Sequence, residues 1–385
     1  MKESSISNLS EETNMALPLI IIGAAAAATA FGGKKAYDGY KTKQEANEIQ
    51  ENLFRKYNNR KEQLDKIQQN TDKALNNLGV LELSIGKSIG DFEILAKELL
   101  VKLEKSGYKN QKLTIPQNQL DKINDYAFST TEFLATVDAT GATGAAGAAA
   151  ATGAAASFAV YGGVMTFAAA STGTPIATLS GAAAYNATMA AIGGGSLAAG
   201  GWGMAGGAMV LGAAAAAPIL AVAGLAYALH AEKALANAEE QSKEVNKGLE
   251  KMDLAEARLN KITNYIQRIN LSLTVINNTF IEYLDALKIM HQIFMKRHQG
   301  EDISIDESKE CLQKIDNGYA LAAIMTEIIT TPIFKPQVDE DGKAVIKDGQ
   351  VQFDTDEDGG SVLNETNLDS VLPEQSKKHN EILSK

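Results

Sequence analysis

Two stretches of the chain carry apolar residues at helical spacing, and they flank a stretch without charge. The more regular one runs from Ala231 to Met295, where apolar residues follow in steps of three or four once the polar Glu256 is included. Its apolar positions are Val245, Leu249, Met252, Leu259, Ile262, Ile266, Ile269, Leu273, Ile276, Phe280, Tyr283, Leu287, Met290 and Phe294. The pattern predicts a single helix on the order of 100 Å long.

The other amphipathic stretch begins at Glu45 and has the spacing of a coiled coil. Its first apolar positions are Ala46, Ile49, Leu53, Tyr57, Leu64 and Ile67. Leu75 to Leu103 continues the helical pattern, with a softer region between Gly79 and Gly90, and further helices are predicted at 117–136 and 303–331. We expect the two flanks to pair antiparallel, as an elongated helical bundle or coiled-coil stalk in an all-α fold.

Between the flanks, residues Ala139 to Ala231 contain no Asp, Glu, Lys or Arg, and are called the Gly/Ala segment below. Turns at 171–175 and 193–195 divide it into three apolar helix candidates, at 144–170, 176–192 and 196–230. The outer two are long enough for a bilayer span, which needs about 20 residues. The sequence therefore predicts a hydrophobic helical hairpin at the far end of the stalk that enters a membrane.

The composition of this segment suggests how it would insert. Ala and Gly outnumber Leu, Ile, Phe and Val, so each helix alone would be a poor span. Gly203 and Gly207 have the small-xxx-small spacing that packs helices in bilayers, so we expect insertion as a packed bundle. The candidate membrane-inserting residues are Val160, Tyr161, Met165, Phe167, Trp202, Gly203, Gly207, Met209, Leu220 and Leu225. A tightly packed soluble core and a low-complexity linker are the two alternatives.

The N-terminal region, 1–33, has its own apolar segment. Met15 to Gly33 is uninterrupted by charge and is followed by Lys34 and Lys35. It is either a marginal membrane span or a buried helix that docks on the Gly/Ala segment. The preceding residues are acidic, which argues against a signal peptide, and Met15 is a second possible start residue.

The tail, 332–385, is acidic and rich in turn-forming residues. Residues 344–347 and 350–353, separated by Asp348 and Gly349, predict a small β-hairpin with a type I′ turn. The next residues have the oxygen-ligand spacing of an EF-hand loop, although Ser361 stands where that loop usually has an apolar residue. The candidate calcium ligands are Asp354, Asp356, Asp358, the Gly360 carbonyl and Glu365. The alternative is a solvated acidic turn.

Composition narrows the classes of function. The net charge of −11, without any basic run with interleaved aromatic residues, argues against nucleic-acid binding. The single cysteine, Cys311, excludes an internal disulfide framework and Cys-rich metal sites, and the four histidines are scattered. Gly86-Lys87-Ser88 is not a P-loop, because Leu81 stands where its first glycine should be. Apart from the calcium candidate we expect no cofactor, and we expect no enzymatic activity.

Three pieces of the sequence resemble a family of bacterial Gly/Ala-rich coiled-coil proteins, often labelled glycine-zipper or chemotaxis proteins. The pieces are Leu17-Pro-Leu-Ile-Ile-Ile-Gly with Phe31-Gly-Gly-Lys-Lys-Ala-Tyr-Asp-Gly-Tyr, Tyr161-Gly-Gly-Val-Met through Thr172-Gly-Thr-Pro-Ile-Ala to Gly193-Gly-Gly-Ser-Leu-Ala-Ala-Gly-Gly, and Thr331-Pro-Ile-Phe before Asp339-Glu-Asp-Gly. This resemblance implies an architecture more than a function. In layout alone, the chain is similar to α-helical pore-forming toxins of the cytolysin A type, in which a helical bundle stores an apolar hairpin.

Five regions follow: 1–33 (apolar segment), 34–138 (amphipathic helices), 139–231 (inserting hairpin), 232–331 (long coiled-coil helix and the next helix) and 332–385 (acidic tail). We expect a membrane-inserting protein that stores its hairpin against the stalk, then oligomerises and permeabilises a bilayer. The alternative is a non-lytic membrane scaffold or tether that acts with a membrane-remodelling partner. Expected partners are a lipid bilayer, further copies of the chain and a protein bound through the coiled coil. We expect a cytoplasmic form that converts to a membrane-associated one.

Overall fold

The computed structural model describes the helical flanks and most of the acidic tail. The described residues are 33–106, 113–139, 155, 158–159, 231–296, 303–340, 345–347, 350–357 and 361–384. Their elements are α1 (Gly33–Lys105), α2 (Gln117–Ala139), α3 (Ala231–Lys296), α4 (Ile305–Ile329), β1 (Ile346–Lys347), β2 (Gln350–Val351) and α5 (Glu365–Leu383). Helix dominates, so the predicted all-α fold class is confirmed for the part of the chain that the structure describes.

The two long helices, α1 and α3, lie side by side and run in the same direction. Near the start of the pair, Arg60 Nη2 donates a hydrogen bond to Asp253 Oδ1 at 2.6 Å, across an offset of 193 residues. Near the end, His291 Nε2 lies 2.9 Å from Glu98 Oε2, at the same offset. An offset that stays constant along two helices means that they are parallel, because in an antiparallel pair it would shrink steadily.

This direction corrects the antiparallel pairing predicted from the sequence. An amphipathic pattern gives each helix an apolar face, but that face can meet a partner of either direction. The consequence concerns the connection, since α1 ends at Lys105 while the offset places Ala231, the start of α3, beside residue 38. The end of α1 and the start of α3 are therefore about 100 Å apart along the pair, at 1.5 Å per helical residue. The two flanks are consequently not the arms of one hairpin.

Polar pairs fix the register of the otherwise apolar seam between α1 and α3. Thr71 is fully buried, and its hydroxyl lies 2.7 Å from that of Thr263. Thr71 Oγ1 donates to the carbonyl of Ile67, which leaves Thr263 to donate to Thr71. Glu256, the polar residue within the predicted apolar series of α3, pairs with Arg60. Since a buried polar group without a partner is destabilising, these pairs favour the observed offset over a shifted one.

Helix α4 turns back along the end of α3 and closes the core there. Its first turn has a capping box, in which Ser304 Oγ accepts from the Glu307 amide at 3.2 Å and the Glu307 carboxylate accepts from the Ser304 amide at 2.9 Å. Further along, Asn317 Nδ2 donates to the Tyr283 hydroxyl at 3.2 Å. The predicted helix at 303–331 is thus present within two residues of its predicted ends.

Gly318 of α4 lies directly against an aromatic ring of the core. A Cβ added there would lie 2.4 Å from Phe92 Cε2, and Phe92 is held edge-on by Phe280 and Tyr319, with ring centroids 5.3 and 4.9 Å away. We expect Gly318→Ala to lower the free energy of unfolding by about 1 to 3 kcal/mol, measured by chemical denaturation. Gly248→Ala is the control, because no atom lies within 4 Å of its added Cβ. Equal effects of the two substitutions would contradict close packing at Gly318.

The tail folds into a small β-structured loop followed by α5. Strands β1 and β2 pair antiparallel, with Ile346 opposite Val351 and Lys347 opposite Gln350. The predicted turn at 348–349 lies outside the described residues. The loop has an apolar centre formed by buried Phe334 and Phe353, whose ring centroids are 5.8 Å apart.

Helix α5 runs along α3 in the same direction. Asp369 accepts from Arg268 Nη1 at 2.9 Å, and further along the same pair of helices His379 Nε2 lies 3.0 Å from the Thr279 hydroxyl. Burial lowers the pKa of His379.

The described helices include none that is both long and apolar enough to cross a membrane.

Candidate docking site for the Gly/Ala segment

Between Ala139, which ends α2, and Ala231, which begins α3, the structure describes three residues of the Gly/Ala segment. They are Ala155, Phe158 and Ala159, with exposed fractions of 3%, 1% and 5%. Phe158 and Ala159 belong to the same hydrophobic core as the residues of α1 and α3. The candidate membrane-inserting residues, from Val160 to Leu225, lie outside the described residues, and so does almost all of the N-terminal apolar segment. Where the segment is described, it is therefore packed into the helical body.

The first docking contact joins the backbone of Ala155 to α1 at Gly79. A Cβ added to Gly79 would lie 1.7 Å from the Ala155 carbonyl oxygen and 2.4 Å from its carbonyl carbon. Only a residue without a side chain allows two backbones to approach this closely. The sequence pattern predicts only a less regular helical region from Gly79 to Gly90. The close approach of a second backbone to Gly79 was not predicted.

The second docking contact lies on α2, at Tyr126. Its ring centroid is 6.2 Å from that of Phe158, and its hydroxyl donates a 2.6 Å hydrogen bond to the carbonyl of Glu82 on α1. One turn along α2, Thr130 packs on Gly86, where an added Cβ would lie 2.2 Å from the Thr130 hydroxyl oxygen. Gly79 and Gly86 are seven residues apart, hence on one face of α1, and this spacing is the signal from which the contact face could have been found.

A buried carboxyl group lies between the two docking contacts. Glu82 is one turn after Gly79, is 2% exposed, and its Oε2 has no hydrogen-bond partner. Burial raises the pKa of Glu82 well above its usual value. Burial also raises the pKa of Tyr126 well above its usual value, and the nearby Glu82 raises it further. The sequence carried a signal here too, because Glu82 continues the three-and-four spacing of the apolar series Leu75, Leu78, Ile85 and Ile89.

Two more polar residues of α1 near this face are partly or fully shielded from solvent. Asp72, seven residues before Gly79, is half-buried, and burial raises its pKa to about 6. Asn76 has a buried Oδ1 without a hydrogen-bond partner. Buried polar groups without partners are rare in stable interiors, since each is destabilising by about 1 to 3 kcal/mol. The face of α1 that meets the Gly/Ala segment therefore carries buried polar atoms without hydrogen-bond partners.

The acidic residues of the candidate calcium site are spread over separate ion pairs. Asp354 pairs with Lys335 at 2.7 Å, Glu365 pairs with Lys261 of α3 at 2.5 Å, and Asp356 pairs with Arg258 of α3. The other two proposed ligands, Asp358 and Gly360, lie outside the described residues. Among the residues that the structure describes, no group of three or more acidic, His or Cys side chains is placed to hold a metal. Calcium binding stays a prediction, and an ion there would compete with three cationic side chains.

Comparisons with protein-family models, with curated proteins and with solved structures give no match for this chain. The resemblance to Gly/Ala-rich coiled-coil proteins consequently rests on the sequence motifs alone and stays a prediction.

Proposed function

We propose that the protein is a membrane-inserting helical protein that stores its Gly/Ala segment on the α1–α2 face and releases it to a bilayer. The observation that carries the proposal is the burial of Ala155 and Phe158 against Gly79 and Tyr126. Beyond Ala159 the segment continues as far as Ala231 without Asp, Glu, Lys or Arg, so it has no charged surface of its own to keep it in water. Docking on the helical body supplies part of that cover.

The docking contacts are individually weak, so they can be broken. Alanine and glycine bury little apolar area, and the stabilisation from burial scales with area at roughly 25 cal/mol per Å². The contact at Gly79 is a close approach of backbones, and the polar groups of α1 beneath the segment lack partners. Phe158 is the large apolar anchor among the described residues of the segment. Release would therefore break few strong contacts, while a bilayer offers the segment a larger apolar environment.

After release, we propose that the segment assembles with copies of itself. Small residues at a spacing of four let helix backbones touch in a bilayer, and Gly203 and Gly207 have this spacing. The product would be an oligomer that permeabilises the membrane. A scaffold or tether would share the binding step and lack the leakage.

Dye release from vesicles of phosphatidylcholine and phosphatidylglycerol tests this function. Wild-type protein is expected to float with the vesicles and to release trapped dye. Gly203→Leu with Gly207→Leu adds apolar surface but separates the backbones, so we expect undiminished flotation with at least a tenfold lower rate of release. Gly90→Leu is the control, because the space beside Gly90 is open.

The outcomes separate the candidate functions. Flotation of the wild type without dye release would favour the scaffold or tether. Absence of both would refute membrane insertion. Undiminished release by the double variant would refute the packed assembly.

A further inference from the structure

The buried carboxyl of Glu82 suggests what controls release of the Gly/Ala segment. Glu82 is one turn from Gly79, which holds Ala155, and its own carbonyl accepts the hydrogen bond of Tyr126, whose ring contacts Phe158. Both docking contacts of the segment are thus built on residues in direct contact with Glu82 or within one turn of it. A change in charge at Glu82 would act on both contacts at once.

We propose that the Glu82 carboxyl is a proton-operated latch, which holds the Gly/Ala segment while it is protonated and releases it when the proton is lost to water. The inference rests on the proposed function, because it supplies the trigger for insertion. The step is an acid dissociation in which the carboxyl O–H bond breaks, its electron pair stays on the oxygen, and a water molecule accepts the proton. Departure of the segment exposes the resulting carboxylate to water.

Among the residues that the structure describes, no cation lies where it could take the place of that proton. On α2, the titratable group in contact with Glu82 is Tyr126, whose hydroxyl donates to the backbone carbonyl of Glu82, and Lys122, one turn before Tyr126, pairs with Glu327 of α4. The Gly/Ala segment has no Lys or Arg, and its single histidine, His230, directly precedes the start of α3, which lies beside residue 38 and far from Glu82. The residues one turn away along α1, in either direction, are uncharged: Leu78, Gly79, Ile85 and Gly86.

Helices α3 and α4 are equally without charged residues opposite this turn, and α5, which carries Glu374, Lys377 and Lys378 at this level, packs on α3 and α4. The offset of 193 places residues 269–281 of α3 opposite residues 76–88 of α1, and no charged residue lies between Arg268 and Glu282. Helix α4 has none between Asn317 and Glu327, and Glu327 pairs with Lys122 of α2 at 3.1 Å. An ionised Glu82 would therefore be an unpaired buried charge, which is strongly unfavourable.

The direction of the pH effect follows from the raised pKa of Glu82 in the docked state. In the released state the carboxyl returns to water and to its ordinary pKa. Docking is therefore most stable at low pH, weakens as the pH rises above the ordinary value, and is weakest above the raised value. Between the two values the ratio of docked to released protein falls about tenfold per pH unit. Burial raises the pKa of Asp72 to about 6, so a change in docking above that pH does not come from Asp72.

Hydrogen exchange without any lipid tests the latch. Exchange of the peptide that contains residues 155–159 is measured by mass spectrometry from about pH 5 to 9 and corrected for the intrinsic rate. In the wild type, protection is expected to fall by at least tenfold as the pH rises across this range. In Glu82→Gln, which is isosteric and always neutral, protection should stay high, and any change that remains should lie below about pH 6, where Asp72 titrates. Asp91→Asn removes an exposed carboxyl from the same helix and should keep the wild-type profile.

Each outcome decides the inference, and the membrane function is decided separately. A flat wild-type profile would overturn the latch even if Glu82→Gln did not fold, and so would a wild-type slope in a folded Glu82→Gln. Vesicle leakage is a second arm on the same samples. A pH-dependent profile lost in Glu82→Gln, without leakage at any pH, would keep the latch and overturn membrane insertion.

Discussion

A covalent bond between residue 158 and the helical body is expected to abolish dye release from vesicles. The photoreactive p-azidophenylalanine, in place of Phe158, keeps an aromatic ring in a site that is 1% exposed and packs on Tyr126. Irradiation before vesicles are added would join the segment to α1 or α2. Because the proposed insertion requires the segment to leave this face, we expect the irradiated protein to lose at least nine-tenths of its release rate, in proportion to the cross-linked fraction.

The same variant kept in the dark is the internal control, and it should release dye like the wild type. A second control places the photoreactive residue at Phe128 of α2, which is 64% exposed, where irradiation should leave release unchanged. Mass spectrometry identifies the residue that is cross-linked to position 158. Full release by fully cross-linked protein would show that the segment does not need to undock.

The second large effect is expected at Gly79. In Gly79→Ala the new Cβ would meet the Ala155 carbonyl oxygen at 1.7 Å, and a backbone atom cannot turn away as a side chain can. Overpacking of this kind is destabilising by about 1 to 3 kcal/mol. Since one to two kcal/mol changes an equilibrium about five- to thirtyfold, the undocked fraction should rise by that factor or more. Dye release should become faster, and protection of residues 155–159 from hydrogen exchange should fall.

Gly90→Ala is the matched control for this substitution. Both glycines lie inside α1, but no atom lies within 4 Å of a Cβ added to Gly90. Alanine is the better helix former by about 1 kcal/mol, so this variant should be slightly more stable and release dye at the wild-type rate. Faster release by both variants would mean that helix stability, and not the contact with Ala155, controls undocking.

The helices could be predicted from the sequence, but their direction could not. Apolar residues at three-and-four spacing give α3 a buried face whatever it packs against, and α3 indeed runs from Ala231 to one residue beyond the predicted Met295. Direction is decided by pairs such as Arg60 with Asp253 and Thr71 with Thr263, which are 193 and 192 residues apart. A single sequence contains no signal that links residues so distant.

The docking site could be predicted from the sequence only in part, for a related reason. The charge-free segment indicates that it needs cover, yet nothing local says which face of which helix supplies it. Gly79 and Gly86 look like helix-weakening residues until a neighbouring backbone is known to approach them. Glu82 was the clearest missed signal, because a carboxyl in an apolar series is either paired or neutral, and the nearby sequence offers no partner.

The parallel direction of α1 and α3 determines how the protein would meet a membrane surface. After undocking, the segment would stay joined to α2, whose Thr130 packs on Gly86 of α1, and to α3, which Ala231 begins beside residue 38. These two attachment points are separated by about 70 Å of helix, at 1.5 Å per residue. A segment that enters a bilayer while attached at both points draws both toward the lipid. The α1–α3 helix pair would then lie parallel to the membrane surface, in contact with the headgroups along its length. A ring of such molecules would be built from helix pairs parallel to the surface instead of perpendicular to it.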